Sequence, residues 1–232
     1  MKRFYREATT AEADGGWRVL LDGRPIRTQA GNPQCVSSRR MAEWLAGEWA
    51  AQGDEIDPAG FPARDLADFA IDKVAPDPAA HVRSIMRFAE TDTLCYRADP
   101  EDALYARQQE IWEPMLTTVE EKLGLRFERV SGIMHRPQRP ETLSRLTDLL
   151  MKHNSCTLAG LGTLASLAAS MGVGLLALEP DADAQGLWAA ANLEEDWQAQ
   201  QWGWDEAAKE RRTKRLGEFT HAMYFARLTL SE

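Results

Sequence analysis

Hydrophobic and polar positions alternate near the N-terminus and give way, further along, to apolar residues at helical spacing. Lys2 to Thr9 alternates (Phe4, Arg6, Ala8) as a half-buried strand does, and Trp17 to Leu21 gives a second strand after a turn at Gly15-Gly16. Asp22-Gly23 is the strongest hairpin signal, because a two-residue loop of that kind needs positive φ at both positions. Ile26 and Thr28 continue the returning strand until Gly31-Asn32-Pro33 ends it, and Cys35-Val36 offers one more short extended piece. Ser37 or Ser38 then caps a helix over about 39–52, with Met41, Trp44, Leu45, Glu48 and Trp49 at helical spacing. Past an acidic loop from Gly53 to Gly60, the spacing predicts helices over 62–74 and, after Pro76-Asp77-Pro78, over 79–93.

From Leu104 the stripe 104, 108 (the Gln stem), 111, 112, 115, 116, 119 and 123 predicts a long helix against a core, with Pro114 kinking it or opening a new one. Upstream, Glu90, Asp92 and Arg97 lie among Phe88, Leu94, Cys95 and Tyr96, so these charges must point outward or be paired. Arg126 to Ile133 is an irregular or strand-like connection (Phe127, Val130, Ile133), and Pro140 opens a helix carrying Leu143, Leu146, Leu149 and Leu150. No residue from Asn154 to Leu178 is charged, a length that could span a bilayer. Its large apolar residues form a stripe, not a full circumference, and glycines, serines and threonines punctuate it. The reading is therefore a buried helix, or a pair broken at Gly172, without stable membrane insertion. Asp181 or Asp183 starts a helix to about Trp202, Gly203 breaks it, and a last helix runs over about 205–228.

This order of elements predicts an α+β chain: a small β-containing N-terminal domain with an antiparallel hairpin over 1–80, then a larger multihelical domain over 81–232. A hydrophobic content of 44% with 27% charged residues is that of a globular chain, and a net charge of −9 argues against a nucleic-acid partner. The three cysteines, Cys35, Cys95 and Cys156, have neither metal nor disulfide spacing and read as reduced, small apolar residues. No secretory or transit segment opens the sequence. The expectation is a bacterial cytoplasm, or a mitochondrial matrix for a processed form.

Catalytic signatures are lacking. His81, His135, His153 and His221 show no paired spacing and read as surface or packing residues, so no metal is expected. Gly160-Leu161-Gly162 lacks the third glycine and the preceding strand of a dinucleotide site. Cys95 beside Arg97 could be an activated thiolate, and an enzyme using Cys95 or the acidic cluster is the alternative function. Most distinctive is Leu193 to Glu206: three acids in a row (Glu194, Glu195, Asp196), then Trp197, Trp202 and Trp204. Large apolar surface beside carboxylates suits either a solvated helix over a Trp core or an interface with a partner. Lys209, Arg211, Arg212, Lys214 and Arg215 follow and can pair with those acids.

Several stretches, in order along nearly the whole chain, resemble one family. They are Leu21-Asp22-Gly23-Arg24-Pro25-Ile26-Arg27-Thr28 with Ala30-Gly31-Asn32-Pro33, then Glu48-Trp49-Ala50-Ala51-Gln52 and Ala70-Ile71-Asp72. Ala89-Glu90-Thr91-Asp92 with Leu94-Cys95-Tyr96-Arg97 follows, then Gln108 with Trp112-Glu113-Pro114-Met115-Leu116, and Leu193-Glu194-Glu195 with Gln198 and Trp202-Gly203. The family is the assembly chaperones that bind the α subunit of the soluble head of F-type ATP synthase. Ala63, Asp65 and Asp68 depart from its usual pattern. The resemblance implies a non-enzyme without cofactor, acting without ATP as a monomer, that shields the free α subunit until the β subunit replaces it. It also implies partner contact at Glu194, Glu195 and Trp202, and a fold-holding role for Trp49, Glu90, Thr91, Asp92 and Trp112. Glu194→Lys is then expected to weaken binding with little change in melting temperature.

Overall fold

The computed structural model describes residues 1–132, 134 and 136–230. The chain divides into two compact units. The first holds residues 1–81, Asn154–Gly160 and the stretch beginning at Tyr224; the second holds Val82–His153 and Leu161–Met223. Together the short sheet of the first and the helices of the second make an α+β protein, helix-rich after its N-terminal third.

In the first unit, β1 (Ala8–Ala13), β2 (Gly16–Leu21) and β3 (Arg24–Pro25) form an antiparallel sheet in that order. Asp22 and Gly23 have φ of 46° and 79°, the doubly positive turn that the Asp-Gly pair foretold. The first strand begins later than the alternation suggests. Residues 6 and 7 are held instead by the Asp22 carboxylate, which accepts their backbone N–H groups at 3.0 Å. Gly16 has no substitute: a Cβ there would lie 2.2 Å from the Val36 carbonyl oxygen, which receives the Trp17 N–H. Helix α1 (Arg39–Ala50) covers the sheet, its N-terminus capped by Ser38 Oγ accepting the Met41 N–H. A helix α2 (Pro62–Phe69) follows, and residues 70–74 widen into a single π turn. Pro78 then opens α3 (Pro78–Ile85). Tyr5, Leu21, Ile56 and Phe61 form one core cluster, with Ala8, Ile26 and Trp49 packed on it. Trp44 meets Tyr224 edge-on, 4.8 Å between centroids.

The second unit begins with a break at Met86 and a single turn, α4 (Arg87–Glu90). The strands β4 (Tyr96–Arg97) and β5 (Val130–Ser131) pair in parallel and bracket the long α5 (Ala103–Leu123). That helix runs through Pro114 without restarting, and Gly124 ends it in the left-handed conformation. Helix α6 (Pro140–Leu150) precedes the uncharged stretch, which forms α7 (Ser155–Ala168) and α8 (Met171–Ala177). The break between them falls at Ala169-Ser170, before Gly172. Ala169 takes a φ of 48°, and Ser170 caps α8 by accepting the Val173 N–H. Among the described residues, no helix is long and apolar enough to cross a membrane. The single helix expected before Gly203 is two, α9 (Ala184–Ala191) and α10 (Leu193–Trp202), separated at Asn192; α11 (Glu206–Arg227) closes the chain. Ile133 and His135 lie outside the described residues.

Candidate functional site

Helix α10 begins with three carboxylates for a local reason. The free N–H groups and positive dipole end of a helix's first turn favour negative charge, and Glu194, Glu195 and Asp196 occupy that turn. Residues four apart share a face, so Glu194, Gln198 and Trp202 form one stripe, exposed along its length with Glu195 beside it. Trp202 is 81% exposed. Gly203, with φ of 88°, stops the helix directly after it, and its N–H closes on the Ala199 carbonyl.

Two supports hold the acids from below and behind. On α5, Gln108 is fully buried. Its amide oxygen accepts the Ala98 N–H at 2.8 Å and its amide nitrogen donates to Glu194 Oε1 at 2.8 Å. Arg212 on α11 donates to Asp196 at 2.6 Å and reaches Glu195 at 3.4 Å, with its guanidinium 5.4 Å from the centre of the Trp204 ring. Burial pushes the Asp196 carboxyl up, and the Arg212 charge opposes that. Trp188 on α9 is buried against Phe219, so the tryptophans divide between core and surface.

Trp112 is fully buried and donates its indole N–H to the Ala190 carbonyl at 2.8 Å, tying α5 to α9. Arg97, one of the charges expected to point outward or be paired, is buried and paired with Glu113, and lies 5.3 Å over the Trp112 ring. It donates to the Gln108 carbonyl and to Glu113. Arg129 bridges Glu113 and Glu120 on α5. The three residues Glu90, Thr91 and Asp92 separate: Glu90 and Thr91 are exposed, whereas Asp92 is wholly buried. Asp92 caps the turn after it by accepting the Leu94 N–H and receives the Gly172 N–H of α8 at 2.7 Å. Burial pushes its carboxyl up to about 6, against the pull of those hydrogen bonds. Glu90 and Asp92 therefore do not converge as an acid–base pair.

Trp49, in the first unit, is half-buried between Tyr5 (5.5 Å) and Phe61 (4.5 Å). Its neighbour Glu48 belongs with it structurally and was missed as a polar participant. Within the apolar stripe of α1 its buried carboxylate accepts the Ala63 and Arg64 N–H groups at 2.7 and 2.9 Å, capping α2 from outside. A glutamate at an apolar helical position was the available signal. Cys95 is fully buried, and burial, the largest cause, pushes its thiol far above the ordinary range with Asp92 adding to the effect. All three cysteines are free thiols. Among the described residues, no group of three His, Cys, Asp or Glu side chains is placed to hold a metal ion.

The ATP12 chaperone protein family matches residues 2–120 of this chain, from the N-terminal sheet to the later turns of α5. The mitochondrial protein atp12 of Schizosaccharomyces pombe is 27% identical over 221 residues, spanning 90% of this chain and 76% of its own length. Atp12 from Paracoccus denitrificans, a solved structure, superposes with a TM-score of 0.93 at 32% identity and covers 98% of both chains. A chaperone candidate from Agrobacterium tumefaciens reaches the same TM-score at 40% identity, over 99% of this chain and 86% of its own.

Proposed function

This chain belongs to the ATP12 chaperone family, and from that premise we propose that it assists assembly of the soluble head of F-type ATP synthase. In this reading it binds the free α subunit without ATP and covers the face that the β subunit later takes. A lone subunit of a ring exposes apolar interface that self-associates unless shielded. The chaperone must therefore offer apolar anchors with polar specificity and bind weakly enough to be displaced. It works as a monomer, in a bacterial cytoplasm or, for a processed eukaryotic form, the mitochondrial matrix.

The observation that carries the reading is the exposed stripe of α10. Trp202 stands 81% in water at its end, while Glu194 and Glu195 are oriented by Gln108 and Arg212. A tryptophan anchor with preordered carboxylates at its rim is the composition of a protein-binding hot spot. The family match ends before this helix, so the stripe's role rests on its geometry. The enzyme alternative loses its nucleophile: a thiol as buried and as hard to ionise as Cys95 supplies no thiolate.

Separate pull-downs with isolated ATP synthase α and β subunits test the proposal. Capture of α and not β is expected, without nucleotide. Capture of neither, or of β alone, contradicts it.

A further inference from the structure

A groove of about 650 Å³ opens on the first unit, and none of its lining residues belongs to the α10 stripe. Phe4, Pro25, Ile26 and Trp49 make much of its lining apolar, and Arg24 and Arg27 bring positive charge to it. Phe4 is 64% exposed, a large cost in water for a residue with no core to fill. The lining is net positive despite the chain's net charge of −9: Arg24 and Arg27 stand against one acid, Asp22, which stays ionised because the N–H groups of residues 7 and 6 hold its carboxyl below the usual range. Arg27 gives one bond to the Gly31 carbonyl, and Arg24 has no ion-pair partner among the described residues.

The shape of the edge narrows what can bind. Strand β3 ends the sheet, and Pro25 on it has no N–H with which to receive an added strand. Recognition there must run through side chains: an apolar residue against Phe4, Ile26 and Trp49, and carboxylates toward Arg24 and Arg27. The volume falls within the range of roughly 300–1,000 Å³ of sites that take a drug-sized group, room for one large apolar side chain with its flanking groups at the rim. The chain's own acidic aromatic segment is a poor occupant. It is wound into α10, with Glu194 held by Gln108 and Asp196 by Arg212.

We propose that this groove binds an extended segment of the client subunit in which an aromatic residue is flanked by carboxylates. The identity of the client rests on the function proposed above; the chemistry of the groove does not. Two modest contacts on one chain would hold a client through effective concentration while leaving each contact separately displaceable.

The test uses the full chain and capped hexapeptides containing one Phe between two Glu, one Phe between two Lys, or one Ser between two Glu. Binding is followed by the indole N–H resonance of Trp49. The Phe peptide with Glu flanks should shift that resonance saturably, and the other two should not. The exposed double variant Arg24→Glu/Arg27→Glu should weaken its binding about tenfold with an unchanged melting temperature, and Phe4→Ser should also weaken it. Equal binding of the Lys-flanked peptide, no shift with any peptide, or full binding by the double variant overturns the proposal. With the isolated ATP synthase α subunit, the same double variant should lower affinity independently of changes on α10. An unchanged affinity overturns the client as occupant, and so does concentration-dependent self-association that the double variant abolishes. Failure of the α subunit to bind the unaltered protein instead defeats the proposed function and leaves the peptide result standing.

Discussion

Buried carboxylates in this protein are mostly employed by backbone N–H groups. Glu48 caps α2, Asp68 receives the N–H group of Gln29, and Asp92 joins its own turn to the start of α8; the half-buried Asp72 receives the Ala30 N–H in the same way. Asp92 gives the clearest pH signature, because burial lifts its carboxyl to about 6. A carboxyl whose pKa is higher folded than unfolded binds protons more tightly in the fold. Its own contribution to stability is therefore greatest in acid and falls as pH rises from about 4 to about 6, by about 1–3 kcal/mol. Urea titrations of wild type and Asp92→Asn at pH 4.5 and 7.5 should show the gap between them narrowing at the higher pH; a widening gap contradicts this. Glu194 and Glu195 differ too. Glu194→Ala leaves the buried Gln108 amide without its acceptor and should cost about 1–2 kcal/mol, whereas Glu195→Ala should cost less than about 0.5 kcal/mol. Glu194→Lys therefore changes stability as well as binding, a coupling invisible in sequence because Gln108 is remote along the chain. Trp49→Arg replaces the contacts with Tyr5 and Phe61 by a half-buried charge and should cost about 3–5 kcal/mol, read by the urea midpoint.

At the level of elements, local chemistry was legible and distant pairing was not. Asp22-Gly23 and Ser38 announced the hairpin turn and the first cap through side-chain rules that operate within a few residues. The two-residue strands β4 and β5 were illegible as a pair because α5 lies between them and each is too short to show a period. The break in the uncharged stretch was expected at Gly172, the residue with the freest backbone. Ala169 makes the turn instead, since Ser170 caps α8 and Gly172 gives its N–H to Asp92. Ala169 consequently carries a positive φ that glycine adopts more readily, on an exposed site. Ala169→Gly should therefore stabilise by about 0.5–1 kcal/mol after the added freedom of the unfolded chain is subtracted. A rise of about 1–3 °C in Tm is the expected calorimetric result; a fall would mean that Ala169 is not strained. The division at Asn192 of the helix expected to end at Trp202 was likewise unreadable, since no Pro or Gly marks it.

For the whole molecule, the ordered stretches that resembled one family run from Leu21 to Gly203, and the family match covers residues 2–120. What the sequence of the acidic tryptophan segment left open was which rings face water. Trp197 is half-buried and Trp204 lies under the Arg212 guanidinium, a residue remote along the chain, while Trp202 is 81% exposed. Burial of that kind is set by long-range packing, and composition alone does not carry it. The proposed chaperone role needs Trp202 to stay exposed in the free protein and to be covered by the client. Light scattering of the isolated ATP synthase α subunit, warmed without nucleotide beside wild type or Trp202→Ser, tests this most directly. Wild type should suppress the rise in scattering, and Trp202→Ser should need about tenfold more protein for the same effect while melting at the wild-type temperature. Equal suppression by the two proteins, or none by wild type, would contradict the account.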